Sequence, residues 1–332
     1  MTARRRARGL MLTALTPALL SCATAESGSG GGGGGPQAPR SQPDDRDLVA
    51  LVPAGPETVL EVDLAQLRDS PWSRGLLGAR TEEDRRVRAT ALGYDEIADV
   101  DRMVFAVTED AAGPVVLTVS QGRFVAAAIG KGFASAHPGA VADSWRGSTL
   151  WRAGDDAAAL LTARTLVAGR LDAVRASIDC GFGLSPDARG GALGTLRRAL
   201  DPERGRPALL GAVLVTDAVR QRVGDAFQLP EGVRSVGARL DLGGSMDVTL
   251  LAMLDRPQQA EAAAGQAQMF LGELRGRTIL RVFGLAPLLD GASFQAEGAR
   301  LRGSLHVPDS ARDDLSQKLG IILDTLKRAR PH

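Results

Sequence analysis

The stretch VRSVGARLDLGGSMDVTLLAML, residues 233–254, sets the fold. Val233 to Leu240 and Met246 to Leu254 are strand-like runs, and Asp241-Leu242-Gly243-Gly244 between them is a turn signal. The segment therefore predicts an antiparallel hairpin. Just upstream, Ala208 to Val215 is an apolar strand, and Thr216 is placed to N-cap a helix running to Phe227. Downstream, Pro257 to Leu274 predicts a long helix with Ala260, Ala263, Ala264, Ala267, Leu271 and Leu274 on one stripe. Thr278 to Leu289 predicts a further helix, and Ser293–Glu297 with Ala299–His306 a second hairpin around Gly298. Asp309 or Ser310 then caps a final helix, in which Leu315, Leu319, Ile322 and Leu326 recur at helical spacing. Lys327, Arg328 and Arg330 stand at its end, where cations suit the helix dipole.

The earlier part of the chain has the same order of elements. Thr58 to Val62 is a strand, and Asp63 caps a short helix through Leu67. Thr81 to Leu92 predicts a helix exposed on one face, within an insertion near residues 70–100 relative to the later part. Arg102–Val107 and Pro114–Ser120 flank Glu109-Asp110-Ala111-Ala112-Gly113, again a hairpin, and Phe124 to Phe133 is helical. Short runs follow at Val141–Trp145, Thr149–Arg152, Ala157–Thr162 and Thr165–Ala168, and the helix Leu171–Ile178 closes this half. Strand, capped helix, hairpin, helix, further strands and closing helix thus occur twice, a duplication of element order. The expected class is α+β: two similar halves, each an antiparallel sheet with helices packed on one face. The boundaries are 1–21 for a signal peptide, 22–46 for a lipidated cysteine and tether, 47–185 for the first half and 186–332 for the second.

Composition narrows the function classes. The 40 basic and 39 acidic residues of this 332-residue chain nearly cancel, and the arginines are scattered, so no nucleic-acid-binding stripe is expected. Two cysteines cannot make a disulfide scaffold or a cysteine-built zinc site. Beyond the first 22 residues, no apolar run reaches the ~18 needed to span a bilayer.

The N-terminus carries the most specific signal. Arg4, Arg5, Arg6 and Arg8 precede the mostly apolar run Gly9–Leu20, and Ser21 and Cys22 follow. That is the pattern of a secretory signal peptide, too short for a spanning helix. Leu19-Leu20-Ser21-Cys22 resembles the lipobox of bacterial lipoproteins. The resemblance implies cleavage before Cys22, lipidation of its thiol and acylation of its new amine, with Leu19 and Ser21 as signal-peptidase recognition positions. In enterobacterial lipoproteins an Asp after the cysteine marks inner-membrane retention, so Ala23 implies the outer membrane. Residues 23–46 include Gly30 to Gly35 with Pro36, Pro39 and Pro43, and their composition predicts a flexible tether of ~80 Å at full stretch. Gly28-Ser29-Gly30-Gly31-Gly32-Gly33 matches G-x-G-x-x-G, but neither a strand before it nor a helix after it supports a dinucleotide loop.

Catalytic constellations are sparse. His137, His306 and His332 stand apart, and there is neither H-E-x-x-H nor G-x-S-x-G. Gly130-Lys131-Gly132 is only a fragment of a phosphate loop. Cys180, at the end of an amphipathic helix, reads as a small buried hydrophobe more than as a nucleophile. Glu82-Glu83-Asp84 and Asp313-Asp314 begin helices, where carboxylates suit the dipole, and Asp155-Asp156 follows Gly154 in a turn. Trp145 and Trp151 flank a hairpin turn and are expected to pack in the core or across strands, the alternative being an exposed ligand platform. No catalytic, cofactor-binding or metal-ligating residue is assigned.

Residues 48 to about 180 also resemble a broad family of uncharacterised bacterial surface lipoproteins. The resemblance lies in Leu51-Val52-Pro53-Ala54-Gly55-Pro56-Glu57-Thr58-Val59-Leu60-Glu61-Val62-Asp63-Leu64 and in Thr165-Leu166-Val167-Ala168-Gly169-Arg170. That family implies no activity. Two function classes remain. One is a membrane-anchored, non-catalytic binding or structural protein of the cell envelope, its partners being the membrane and an envelope protein. The other is an extracytoplasmic hydrolase with an Asp/Glu site in a cleft between the halves.

Overall fold

The computed structural model describes residues 47–73, 82–110, 113–201, 205–224, 229–277 and 286–315. The signal peptide, Leu19, Ser21, Cys22 and the tether lie outside them, as do His332 and most of the final helix expected beyond Leu315.

The described residues open with a 3-10 turn, Leu48–Leu51, capped by Asp47, whose carboxylate accepts from the Val49 N–H at 3.0 Å. Strand β1 (Thr58–Asp63) leads into α1 (Leu64–Asp69), capped as expected by Asp63, which accepts from the Gln66 N–H at 2.8 Å. Then come α2 (Glu82–Leu92), β2 (Val100–Asp110), β3 (Gly113–Gly122) and α3 (Ala126–Ala136). Four short strands follow, β4 (Val141–Trp145), β5 (Ser148–Ala153), β6 (Asp156–Thr162) and β7 (Thr165–Arg170), before α4 (Leu171–Gly181) and α5 (Gly191–Leu200). The later part comprises β8 (Leu209–Leu214), α6 (Asp217–Gly224), β9 (Val233–Leu242), β10 (Met246–Leu254), α7 (Pro257–Gly276), β11 (Ala292–Glu297) and β12 (Arg300–Val307).

Three details depart from the sequence expectations. Helix α5 was not foreseen. Ala286–Gly291 is a 3-10 turn and not the end of an α-helix, since Pro287 lacks an N–H and disfavours helical backbone before it. The rest of that expected helix, 278–285, lies outside the described residues. Asp309 and Ser310 sit inside a 3-10 turn after Pro308, with no side-chain cap, and helical backbone continues from Arg312 to Leu315.

The chain forms two compact units that alternate along the sequence. Among the described residues, the first comprises those within 47–61, 82–195 and 215–229. Its strands run in the order β1-β2-β3-β7-β6-β5-β4, and β2 through β7 pair antiparallel. Register aligns Leu150, Ala159, Val167, Val119 and Val104 in one row across five strands, each at most 1% exposed. Helix α4 packs against β6 and β7 and buries Val174 and Ile178. Where the end of α2 packs on α3, backbones almost touch: a Cβ on Gly93, which has φ +79°, would stand 2.1 Å from the Ala128 carbonyl oxygen. Only glycine fits there.

Among the described residues, the second unit comprises those within 62–73, 196–214 and 230–315. Its antiparallel sheet has the order β11-β12-β10-β9-β8. The hairpin foreseen at 233–254 is β9–β10, with Met246 opposite Leu242. Helix α7 lies against β11 and β12 and buries Ala260, Ala263, Ala264 and Leu271 of the expected stripe. Leu196 and Leu200 of α5 press on Gly237 of β9, where a Cβ would stand 2.4 Å from Leu200 Cδ1. Trp72, Val307 and Leu315 form a further buried cluster. Both units are antiparallel sheets carrying helices, so the α+β expectation is borne out.

Candidate functional site

The residues singled out for chemistry take structural positions. Cys180 is 6% exposed and sets its thiol 3.5 Å from the Pro186 carbonyl oxygen. Burial first, then Asp187 and Asp179, pushes the thiol up to about 11. His306 faces Asp247 across β12 and β10, with Nδ1 2.7 Å from the carboxylate, and Ser245 donates to that carboxylate's other oxygen at 2.6 Å. Both Ser245 and His306 thus engage Asp247, and no hydroxyl is handed to an imidazole. His137 stacks on Phe133, with ring centroids 4.4 Å apart, and lies 3.5 Å from Asp156.

The Asp155 carbonyl accepts from the Leu171 N–H at 2.7 Å, and Asp313 accepts from Arg312 at 3.1 Å. Glu83 is exposed near the start of α2. The side chains of Glu82 and Asp84 are outside the description. Among the described residues no group of three or more His, Cys, Asp or Glu could hold a metal ion. Gly130 and Gly132 are packing glycines, the first against the Trp151 indole and the second against the backbone of Leu92 and Gly93.

The two tryptophans part company. Trp151 meets α3 at Gly130, whereas Trp145 stands at the tip of the β4–β5 hairpin. Among the described residues no ring contact joins them. The hairpin turns on Arg146 (φ 52°) and Gly147 (φ 79°), between the paired Trp145 and Ser148. Positive φ at both central positions is the two-residue turn that matches strand twist, though a non-glycine at the first is uncommon.

This turn brings the tip onto α4. The Trp145 indole N–H donates to Asp179 Oδ1 at 3.2 Å, and Arg146 Nε donates to the same oxygen at 3.0 Å. The Arg175 guanidinium lies 4.6 Å from the Trp145 ring centroid, within cation–π range, and Arg146 lies at 5.5 Å.

Helix α4 ends beside this cluster. Gly183 takes φ +72°, the left-handed stop that favours glycine, and the Leu184 N–H returns to the Asp179 carbonyl at 2.9 Å. The turn leaves Phe182 51% and Leu184 60% exposed. The start of the described chain packs against the same helix. Ser177 donates to the Leu51 carbonyl at 2.6 Å, Ala54 N–H to Pro186 at 3.0 Å and Ala188 N–H to Val52 at 2.9 Å.

An exposed Phe-Gly-Leu turn, an indole and two guanidiniums therefore gather where the polypeptide enters the first unit. Sequence reading singled out Trp145 and missed Arg175, Phe182 and Leu184. The available signal was Gly181-Phe182-Gly183-Leu184 just past a helix end. Such a surface can bind and orient a partner.

The architecture is that of an α+β protein built on antiparallel sheets. No family model matches the chain, and no curated protein does either. Among solved structures, crystal form III of TP0453 is similar at 11% identity, covering 82% of this chain and 99% of that one, with a TM-score of 0.48. Crystal form I of TP0453 is similar at 13% identity, covering 83% and 97%, with a TM-score of 0.47.

Proposed function

We propose that this chain is an extracytoplasmic lipoprotein of the bacterial cell envelope, anchored through Cys22, with a non-catalytic body that binds a partner or serves a structural role. The observation that carries the reading is the order Arg4–Arg8, apolar Gly9–Leu20, then Ser21-Cys22. A short apolar run ending in a small residue and a cysteine is what a lipoprotein-processing peptidase and an acyl transferase require. Several acyl chains on one residue bind a bilayer far more durably than one chain does, at about 0.8 kcal/mol per buried methylene. Ala23 favours the outer membrane over the inner. The settings of the reactive side chains agree with a binding role. Cys180 is buried with its thiol held protonated, and His306 is engaged with Asp247 on an exposed strand pair.

The test is metabolic labelling with palmitate and mass spectrometry of the native protein. Wild type is expected to lose residues 1–21 and to carry diacylglycerol and an acyl chain at Cys22, and Cys22→Ser to carry neither. An intact initiator methionine or an unmodified Cys22 thiol overturns the reading.

A further inference from the structure

We propose that the Phe182–Leu184 turn, with Trp145, Arg146 and Arg175 beside it, is a second membrane contact that seats the first unit on the interfacial layer of the bilayer. This deepens the anchoring proposed above and rests on it.

The apolar part is the turn itself. Phe182 and Leu184 stand one glycine apart, 51% and 60% exposed. Scattered surface hydrophobes are ordinary, but these two share one protruding turn beside an indole. Trp145 pairs its ring with cations and its N–H with Asp179, the mixed character that suits the headgroup region.

Charge points the same way. Arg146 pairs with Asp179 and Arg152 with Asp143, both at 3.0 Å, while Arg175 lies over Trp145 within electrostatic reach of Asp143, so three guanidiniums meet two carboxylates. The excess is positive, complementary to anionic headgroups.

The path of the chain supplies the remaining argument. The 3-10 turn Leu48–Leu51 packs on α4, and Pro53 bridges Asp187, three residues past Leu184. Twenty-four residues separate Cys22 from Asp47. That length reaches at most ~80 Å, so an anchored Cys22 keeps the turn at high effective concentration near the membrane. Weak interfacial contacts count when a first anchor already holds the molecule.

The experiment uses the chain from residue 22 onward with Cys22→Ser, so that neither lipid nor signal peptide contributes. It is sedimented with phosphatidylglycerol-containing vesicles and with pure phosphatidylcholine vesicles. Binding is expected to favour the anionic vesicles and to weaken with salt. Phe182→Ser with Leu184→Ser should lower it about tenfold, with an unchanged melting temperature. Phe182→Trp should retain binding and blue-shift its emission on vesicle addition. Equal binding to both vesicle types, or undiminished binding by the double variant, overturns the proposal. So does a chain that sediments with neither, which would point to a protein partner. Palmitate labelling of wild type reads the anchor separately. A labelled wild type with a non-binding Cys22→Ser chain removes the second contact and leaves the anchor standing.

Discussion

Ser177 in the middle of α4 donates its hydroxyl to the carbonyl of Leu51 at 2.6 Å, wholly buried, and so ties the beginning of the described chain to a core helix. Removing the hydroxyl strips a buried carbonyl of that donor, which costs about 1–3 kcal/mol. Ser177→Ala is therefore expected to lower the unfolding free energy by that amount. Urea denaturation monitored by circular dichroism measures it, and a change below experimental error would show that the bond contributes nothing.

Arg239 is 1% exposed in the strand β9. Its guanidinium donates to Asp241 at 2.7 and 2.8 Å, to Asp201 and to the Gly205 carbonyl at 3.1 Å. Taking away one partner leaves a buried cation short of acceptors. Because both carboxylates reach solvent, Asp241→Ala should cost about 2–4 kcal/mol, toward the lower end for a buried pair. Arg239→Met, which fills the space without a charge, should cost less than Asp241→Ala. The reverse order in thermal unfolding would contradict this account.

Acid should weaken the first unit through Asp95. Burial raises this carboxyl, but the N–H groups of Ala98 and Ile97 and the Arg85 guanidinium at 2.8 Å outweigh it, leaving the group below its ordinary 3.8. A depressed folded value means stability that is present above the unfolded value and lost as pH falls through the folded one. Asp172, held down chiefly by Arg170, adds to the same slope. Stability is expected to drop as pH falls below about 4. Asp95→Asn should flatten that limb, and an unaltered acid profile would exclude Asp95 as a contributor.

Cys180 should be nearly inert while the protein is folded. A thiol pushed up to about 11 by burial holds a thiolate fraction at pH 8 about two orders of magnitude below that of a free cysteine. In the Cys22→Ser chain, reaction with a disulfide reagent should be slower than in the urea-unfolded chain by at least that factor. Comparable rates in the two states would mean that the thiol is open to solvent.

The sheets were legible because hairpins announce themselves locally: Asp241-Leu242-Gly243-Gly244 between two apolar runs is sufficient for β9 and β10. The Asp63 cap was equally plain, since cap chemistry depends on residues three positions apart. Helix α5 was hidden because Gly190, Gly191 and Gly194 break up the stretch holding Leu193, Leu196 and Leu200, and glycine reads as a turn. Gly194 is tolerated because a Cβ there would stand 2.0 Å from the Arg189 carbonyl oxygen. The cluster around Trp145 could not be read from spacing. Asp179 lies 34 positions from Trp145, and only the fold of β4, β5 and α4 brings the two within 3.2 Å.

The hydrogen bonds that fasten Val52 and Ala54 to the 186–188 segment have a mechanical consequence. A pull on Asp47 would not peel away a loose end. Traction would pass through Ala54–Pro186, Ala188–Val52 and Ser177–Leu51 into α4, and the load would be shared among parallel bonds before any strand of the sheet gave way. In the anchoring proposed above, load from the tether would therefore enter the body through α4.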